Sequence, residues 1–383
     1  MHVSESIRYI GVNDHNIDLF EGQYVVPNGM AYNSYVILDE KIAVLDTIDA
    51  GFTDEWLAKL ETELNGRQPD YLVVHHMEPD HSANIAVFAE KYPNAKIAAS
   101  IVAFNMMKGY FGTDYPERKL VLKEGSTIEL GSHTLSFIQA PLVHWPEVLM
   151  SYESSEKVLF SADGFGKFGA LDVEEDWACE ARRYYFGIVG KFGAKVQDVL
   201  KKAAKLEIDT ICPLHGPVLS ENLGYYLDLY NTWSSYGVES EGVMIAYTSV
   251  YGNTKKAVEY LAAKLTEKGC AKVTVCDLAR EDMAEAVEDA FRYGRLVLAT
   301  TTYNGEIFPF MHTFIHCLVE RGYTNRKLAF IENGSWAPMA AKTMTKLFEE
   351  CKELELTGTV TIKCAMTDAN REQLDAIAEA FAK

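Results

Sequence analysis

No CxxC pair occurs among the seven cysteines of this 383-residue chain, Cys179, Cys212, Cys270, Cys276, Cys317, Cys351 and Cys364. Their odd number and scattered positions exclude a zinc knuckle, a dithiol redox motif or a cysteine-held iron–sulfur cluster, and predict reduced, mostly buried thiols. Also lacking is any run of 18 apolar residues, so no membrane-crossing helix is expected. The opening MHVSESIRYIGVNDHNIDLF has no basic start, apolar stretch or small-residue cleavage site, which gives the cytoplasm as the expected location. Positive charge is scarce: 36 Lys and Arg stand against 55 Asp and Glu, a net charge of −19. That balance repels phosphate backbones and anionic membranes, so neither nucleic acid nor membrane is an expected partner. What remains is the composition of a compact globular protein, 48% hydrophobic and 24% charged, long enough for two or three domains.

The two halves differ in grammar. Up to about residue 240, short apolar strands alternate with turns and irregularly placed helices, the texture of a sheet-rich α+β layer domain. From Gly242 onward five strand-like runs, GVMIAYTS, KVTVCDLA, RLVLATTTY, KLAFIENGS and TVTIKCAM, are each followed by an amphipathic helical run. Continuous apolar strands imply burial on both faces, hence an α/β doubly wound parallel five-stranded sheet in the flavodoxin-like arrangement. The polar, glycine-containing stretch at 234–242 is the expected linker, dividing the chain into 1–240 and 241–383. Residues 1–241 carry 19 basic and 36 acidic side chains, whereas 242–383 carry 17 and 19, so the acidity belongs to the first half.

The segment YLVVHHMEPDHSAN places His75, His76, Glu78, Asp80 and His81 within seven residues, between an apolar strand, Tyr71 to Val74, and a helical pattern starting at Ser82. His76, Glu78 and Asp80 at i, i+2 and i+4, with His81, could serve two neighbouring metals. An exposed polar loop capped by Asp80 or Ser82 is the plainer alternative. His144, Asp163 and His215 then come after three further strand-like runs, and strand ends delivering ligands to one edge are what a preformed metal pocket requires. His75 is expected to face the other way, and Trp145 and Pro146 suit a pocket wall and ordinary packing equally.

In the second half, the first strand leads into Thr248, Ser249, Val250, Tyr251, Gly252, Asn253 and Thr254 before a helix. Turn amides and hydroxyls there can cradle a terminal phosphate, although a hydroxyl-rich helix cap has the same composition. The loop matches neither the P-loop nor GxGxxG, which disfavours ATP and NAD. Thr301, Thr302, Tyr303, Asn304 and Gly305, and Asn333, Gly334, Ser335, Trp336 and Ala337, end two further strands, and Tyr303 and Trp336 offer aromatic faces for a flat ring. As a set these loops resemble the FMN loops of a flavodoxin.

The spacing His76-x-Glu78-x-Asp80-His81, then 62 intervening residues to His144, 18 to Asp163 and 51 to His215, resembles the metal motif of the flavodiiron proteins. The resemblance covers essentially the whole chain and implies an αββα metallo-β-lactamase-like sandwich followed by the flavodoxin-like domain. It implies two irons, one on His76, Glu78 and His144, the other on Asp80, His81 and His215, bridged by Asp163. His81, beside Asp80 at a helix start, has the alternative of turning away and leaving water in its place. Four imidazoles and three carboxylates form a harder, more anionic set than the nitrogen-rich zinc sites of hydrolases. The implied activity is reduction of dioxygen to water, nitric oxide to nitrous oxide, or both, by an FMN and di-iron oxidoreductase. Rubredoxin is the usual donor of the family, with reduced deazaflavin in some methanogen members. The chain shows no four-cysteine module of its own, so a separate donor is expected. A homodimer or dimer of dimers is implied as well. The competing readings are a zinc-dependent hydrolase with a flavodoxin-like docking domain, and a pure electron carrier with a vestigial metal pocket.

Overall fold

A computed structural model describes residues 3–382. The chain divides into two units: residues up to Tyr185 with Ala194–Asn231, and Phe186–Gly193 with Thr232 onward.

The first unit is built on two sheets. One has six strands in the order Ile7–Tyr9, Tyr35–Leu38, Ile42–Leu45, Tyr71–Val73, Lys96–Ser100 and Lys119–Leu122. Its first two pairings are antiparallel and the remaining three parallel. The other sheet runs Thr127–Glu129, Thr134–Gln139, Leu149–Glu153, Val158–Phe160 and Thr210–Cys212. Alternation along the strands sorts their side chains between two faces. Tyr35, Ile37, Ala43, Leu45 and Val73 of the first sheet share one core with Leu135, Phe137, Leu149, Phe160 and Cys212 of the second. Trp56, Leu60 and Leu64 are the buried stripe of the helix Thr53–Leu64. This is the αββα metallo-β-lactamase-like sandwich.

The second unit carries five parallel strands in the order Val273–Asp277, Ser240–Tyr247, Tyr293–Tyr303, Arg326–Asn333 and Leu354–Ile362, the flavodoxin-like doubly wound sheet. The helices Asn253–Glu267, Met283–Arg292, Pro309–Glu320, Ala340–Leu347 and Asp368–Phe381 come after the five strands in turn. The stretch read as a linker is anchored within this unit. The strand begins at Ser240, and the Arg326 guanidinium donates to the carbonyls of Tyr236 at 2.8 Å and Gly237 at 2.9 Å. Gly242 is required where it stands, because a Cβ there would lie 2.8 Å from the Tyr293 ring.

Candidate functional site

In the first unit the expected ligands arrive from four connections, one leaving Tyr71–Val73 of the six-stranded sheet and three leaving Thr134–Gln139, Val158–Phe160 and Thr210–Cys212 of the other. The strand Tyr71–Val73 ends before the histidines, and Asp46, at φ 55 just past Ile42–Leu45, accepts both of their amides and holds the His75 imidazole. Its Oδ1 accepts the His75 amide at 2.7 Å and its Oδ2 lies 2.5 Å from His75 Nδ1, while His75 Nε2 meets Ser151 Oγ at 2.8 Å. His75 is thereby turned out of the pocket, and His76 is turned in. A short helix then starts at Pro79, earlier than the expected Ser82. Proline suits a first helical position because its missing N–H has no partner there in any case. Neither Asp80 nor Ser82 caps it: the residue before the helix is Glu78, and Ser82 Oγ donates to the Met77 carbonyl at 2.8 Å. Asp80 sits in the first turn and is free to point into the pocket.

The seven predicted residues converge as two groups. His76 Nε2 lies 3.2 Å from both His144 Nε2 and Glu78 Oε2, and His144 Nε2 lies 3.1 Å from Glu78 Oε2 and 2.9 Å from Asp163 Oδ2. In the second group His81 Nε2 lies 3.0 Å from His215 Nε2, and Asp80 Oδ2 is 3.4 and 3.3 Å from these two nitrogens. Asp163 belongs to both: Oδ2 faces the first group, while Oδ1 is 3.4 Å from His81 Nε2 and 3.9 Å from His215 Nε2. His81 is fully buried and aimed inward, not rotated away.

The donor chemistry fits a pair of cations. His76 Nδ1 donates to Glu147 Oε1 and His215 Nδ1 to the Ala31 carbonyl, each at 2.8 Å. In their neutral forms both imidazoles therefore present a lone pair at Nε2, facing other nitrogens and carboxylates. Both oxygens of Asp80 and Oδ1 of Asp163 are buried with no hydrogen-bond partner. Donors about 2.0–2.1 Å from a tetrahedral metal lie about 3.3 Å from each other, the spacing seen within each group. Without a cation the protons must compensate. Burial opposes charge on His76, yet Asp163, Glu147 and Glu78 hold its pKa well above the usual imidazole value. His144 is likewise pushed up to about 9 against its burial, by Asp163 and Glu78. Asp163 is held well below the carboxylate range because His76, His144 and His81 outweigh its desolvation.

Trp145 stands edge-on to His76, with ring centroids 5.2 Å apart. The sequence did not disclose Glu147, Asp46 or Asn33. Asn33 Nδ2 donates to the carbonyls of Pro213 and Gly216, both at 2.8 Å, bracketing His215.

In the second unit a cavity of about 570 Å³ lies at the strand ends, lined by Ser249, Val250, Tyr251, Asn253, Thr254, the whole run Thr301 to Gly305, and Asn333 to Ala337. Thr248 and Gly252 do not line it. Thr248 is buried, its hydroxyl 2.7 Å from that of Thr300, and Gly252 serves the turn at φ 88. Ser249 Oγ accepts the amides of Gly252 and Lys255, and Thr302 Oγ1 accepts those of Met339 and Ala340. These two hydroxyls therefore shape the loops. Thr254 Oγ1 and Thr301 Oγ1 are buried without a partner, which leaves them for a ligand. Met339 and Cys364 complete the lining and were not expected.

The family model for ODP family beta lactamase matches residues 30–216, and that for a flavodoxin domain matches residues 244–364. The chain is 28% identical over 351 residues to an anaerobic nitric oxide reductase flavorubredoxin of Vibrio vulnificus, covering 88% of this chain and 70% of that protein. It is 29% identical to a nitric oxide reductase of Moorella thermoacetica, covering 91% and 90%. Among solved structures, the rubredoxin oxygen:oxidoreductase of Desulfovibrio gigas superposes with a TM-score of 0.92 at 24% identity, covering 100% of this chain and 97% of that one. The flavodiiron protein of Giardia intestinalis matches with a TM-score of 0.92 at 23% identity, covering 99% and 95%.

Proposed function

We propose that the chain is a flavodiiron protein, an oxidoreductase reducing dioxygen to water, nitric oxide to nitrous oxide, or both, with FMN and a non-haem di-iron centre. One observation carries the reading: a single buried carboxylate, Asp163, turns one oxygen to each of two donor groups, in a chain that also has a flavin-sized cradle. We assign His76, Glu78 and His144 to one iron, Asp80, His81 and His215 to the other, and Asp163 to both. Three carboxylates make this set harder than a zinc hydrolase site and suit iron. We assign the FMN to the loops 248–254, 301–305 and 333–337, with Thr248 and Gly252 acting through the loop backbone.

When bound, FMN supplies electrons and the irons store electrons and hold the gas. The chain's own residues prepare the site. Glu147 and the Ala31 carbonyl keep a proton on the outer nitrogens of His76 and His215, so their inner nitrogens stay aimed at metal. Trp145 and Phe20, whose ring meets His215 edge-on at 5.4 Å, shield the pocket from bulk water.

Several finer assignments belong to the same proposal. The di-iron role falls to residues 1–240 and the FMN role to 241–383. A cytoplasmic setting is part of the same reading; among the described residues no helix is long and apolar enough to cross a membrane. Names of the relatives point to a rubredoxin-type donor, with deazaflavin as the alternative. Tyr251 and Trp336 are 93% and 89% exposed at the flavin cradle, which supports a homodimer or dimer of dimers in which a second copy covers that rim.

Anaerobic stopped-flow tests the reading. Reduced protein holding two irons and one FMN per chain is expected to oxidise rapidly on mixing with dioxygen or nitric oxide. Stoichiometric zinc, with flavin that stays reduced, would refute it in favour of the hydrolase.

A further inference from the structure

The two donor groups are built unequally. We infer that the position between His76, Glu78 and His144 takes up its metal first and releases it last, because Glu147 stands behind one of its imidazoles. The inference rests on the ligand assignment made above.

In the first group four side chains, His76, Glu78, His144 and Asp163, bring one ligand atom each within 4.8 Å of all the others. In the second, Asp80, His81 and His215 do so among themselves, and the shared Asp163 stands 3.4 and 3.9 Å from His81 and His215 Nε2, farther than its 3.3 and 2.9 Å from His76 and His144 Nε2. The outer nitrogens differ further. His76 Nδ1 donates to a carboxylate, whereas His215 Nδ1 donates to a neutral carbonyl at the same 2.8 Å. His81 Nδ1 is buried with no partner at all. A carboxylate acceptor draws the Nδ1 proton toward itself and makes the inner nitrogen a stronger base than a carbonyl can, so His76 binds its metal more tightly than His215 or His81.

Glu147 is fixed for this task. It is fully buried, and Oε1 accepts both His76 Nδ1–H and the Met77 amide, the latter at 2.9 Å, which also orients the peptide leading to Glu78. Its second oxygen, Oε2, has no hydrogen-bond partner. A buried carboxylate so sparsely satisfied is costly unless positive charge lies close by, and a metal beyond His76 is the charge that this geometry provides for. Glu147 touches no metal; it is a positioning residue.

The test strips iron from the holoprotein with rising chelator and counts iron and FMN retained per chain. Wild type is expected to lose its irons in two steps. Glu147→Gln keeps an oxygen for both N–H donors and removes the charge. It is expected to move the later step to about 10–100-fold lower chelator, leaving the earlier step and the FMN content in place. A single step in wild type, an unmoved later step, or a shift of the earlier step alone would overturn the inference. If the variant does not accumulate as folded protein, wild type stripped of one iron decides. Anomalous scattering between His76 and His144 supports the inference, and scattering between His81 and His215 overturns it. A chain that takes up no pair of irons refutes both the ligand assignment and the inequality built on it.

Discussion

Replacing Asn33 by Ala removes the residue that brackets His215. Asn33 is fully buried, and its side-chain amide donates to the carbonyls of Pro213 and Gly216 on either side of that histidine. A buried acceptor deprived of its donor costs about 1–3 kcal/mol. Pro213 O keeps the Tyr35 hydroxyl at 2.9 Å, so the Gly216 carbonyl bears most of the loss, and the sum comes to about 2–4 kcal/mol. Against a total stability of about 5–15 kcal/mol this is large. Tyr35→Phe is the internal control. It removes one hydrogen bond to a carbonyl that retains Asn33, and is expected to cost about 0.5–1.5 kcal/mol. Guanidinium unfolding of both variants measures the difference, and iron and FMN analysis locates it. Asn33→Ala should lose iron while keeping FMN. An Asn33→Ala protein as stable as Tyr35→Phe, with both irons in place, would refute the reasoning.

Thr254→Ala removes a buried hydroxyl that has no partner in the chain and lines the flavin cradle. FMN affinity, read from the return of flavin fluorescence on dilution, should fall by about tenfold, the equivalent of about 1.4 kcal/mol, with iron content unchanged; an unaltered affinity would remove Thr254 from the cradle. His133 lies between Asp39, 2.7 Å from its Nδ1, and Glu156, 3.1 Å from its Nε2. Burial opposes charge on His133, but these two carboxylates overcome it and raise its pKa above 6.5. Because the folded-state pKa is the higher one, the stabilisation is complete below about pH 6.5 and is lost as pH rises through the folded value. His133→Gln should flatten that alkaline fall in stability, and an identical pH profile would count against the clasp.

The metal ligands were legible because titratable residues at the ends of apolar strands are conspicuous, and four such ends recur in the first half. The residues that aim them were not. Glu147 acts on His76 across 71 positions and Asn33 on the Gly216 carbonyl across 183, so no local pattern links either to its target. Thr248 looked equivalent to Thr254, yet its role comes from strand register. Tyr247 pairs with Ala299, which brings Thr248 beside Thr300 and takes its hydroxyl away from the cradle. Helix start chemistry is ambiguous for a similar reason: Asp80 and Ser82 are good capping types, but Pro79 opens the helix and leaves Asp80 facing inward.

Asp80, with both carboxylate oxygens buried and unpartnered, bears on how the first unit folds. Its group closes only when the segment around His81 meets the loop around His215, 134 residues later in the chain. Such distant closure comes late in folding, after the strands between have paired. A cation that binds only the closed pocket draws the equilibrium toward the folded chain by mass action. By that linkage the chain loaded with cations is expected to resist unfolding and proteolysis better than the same chain without them.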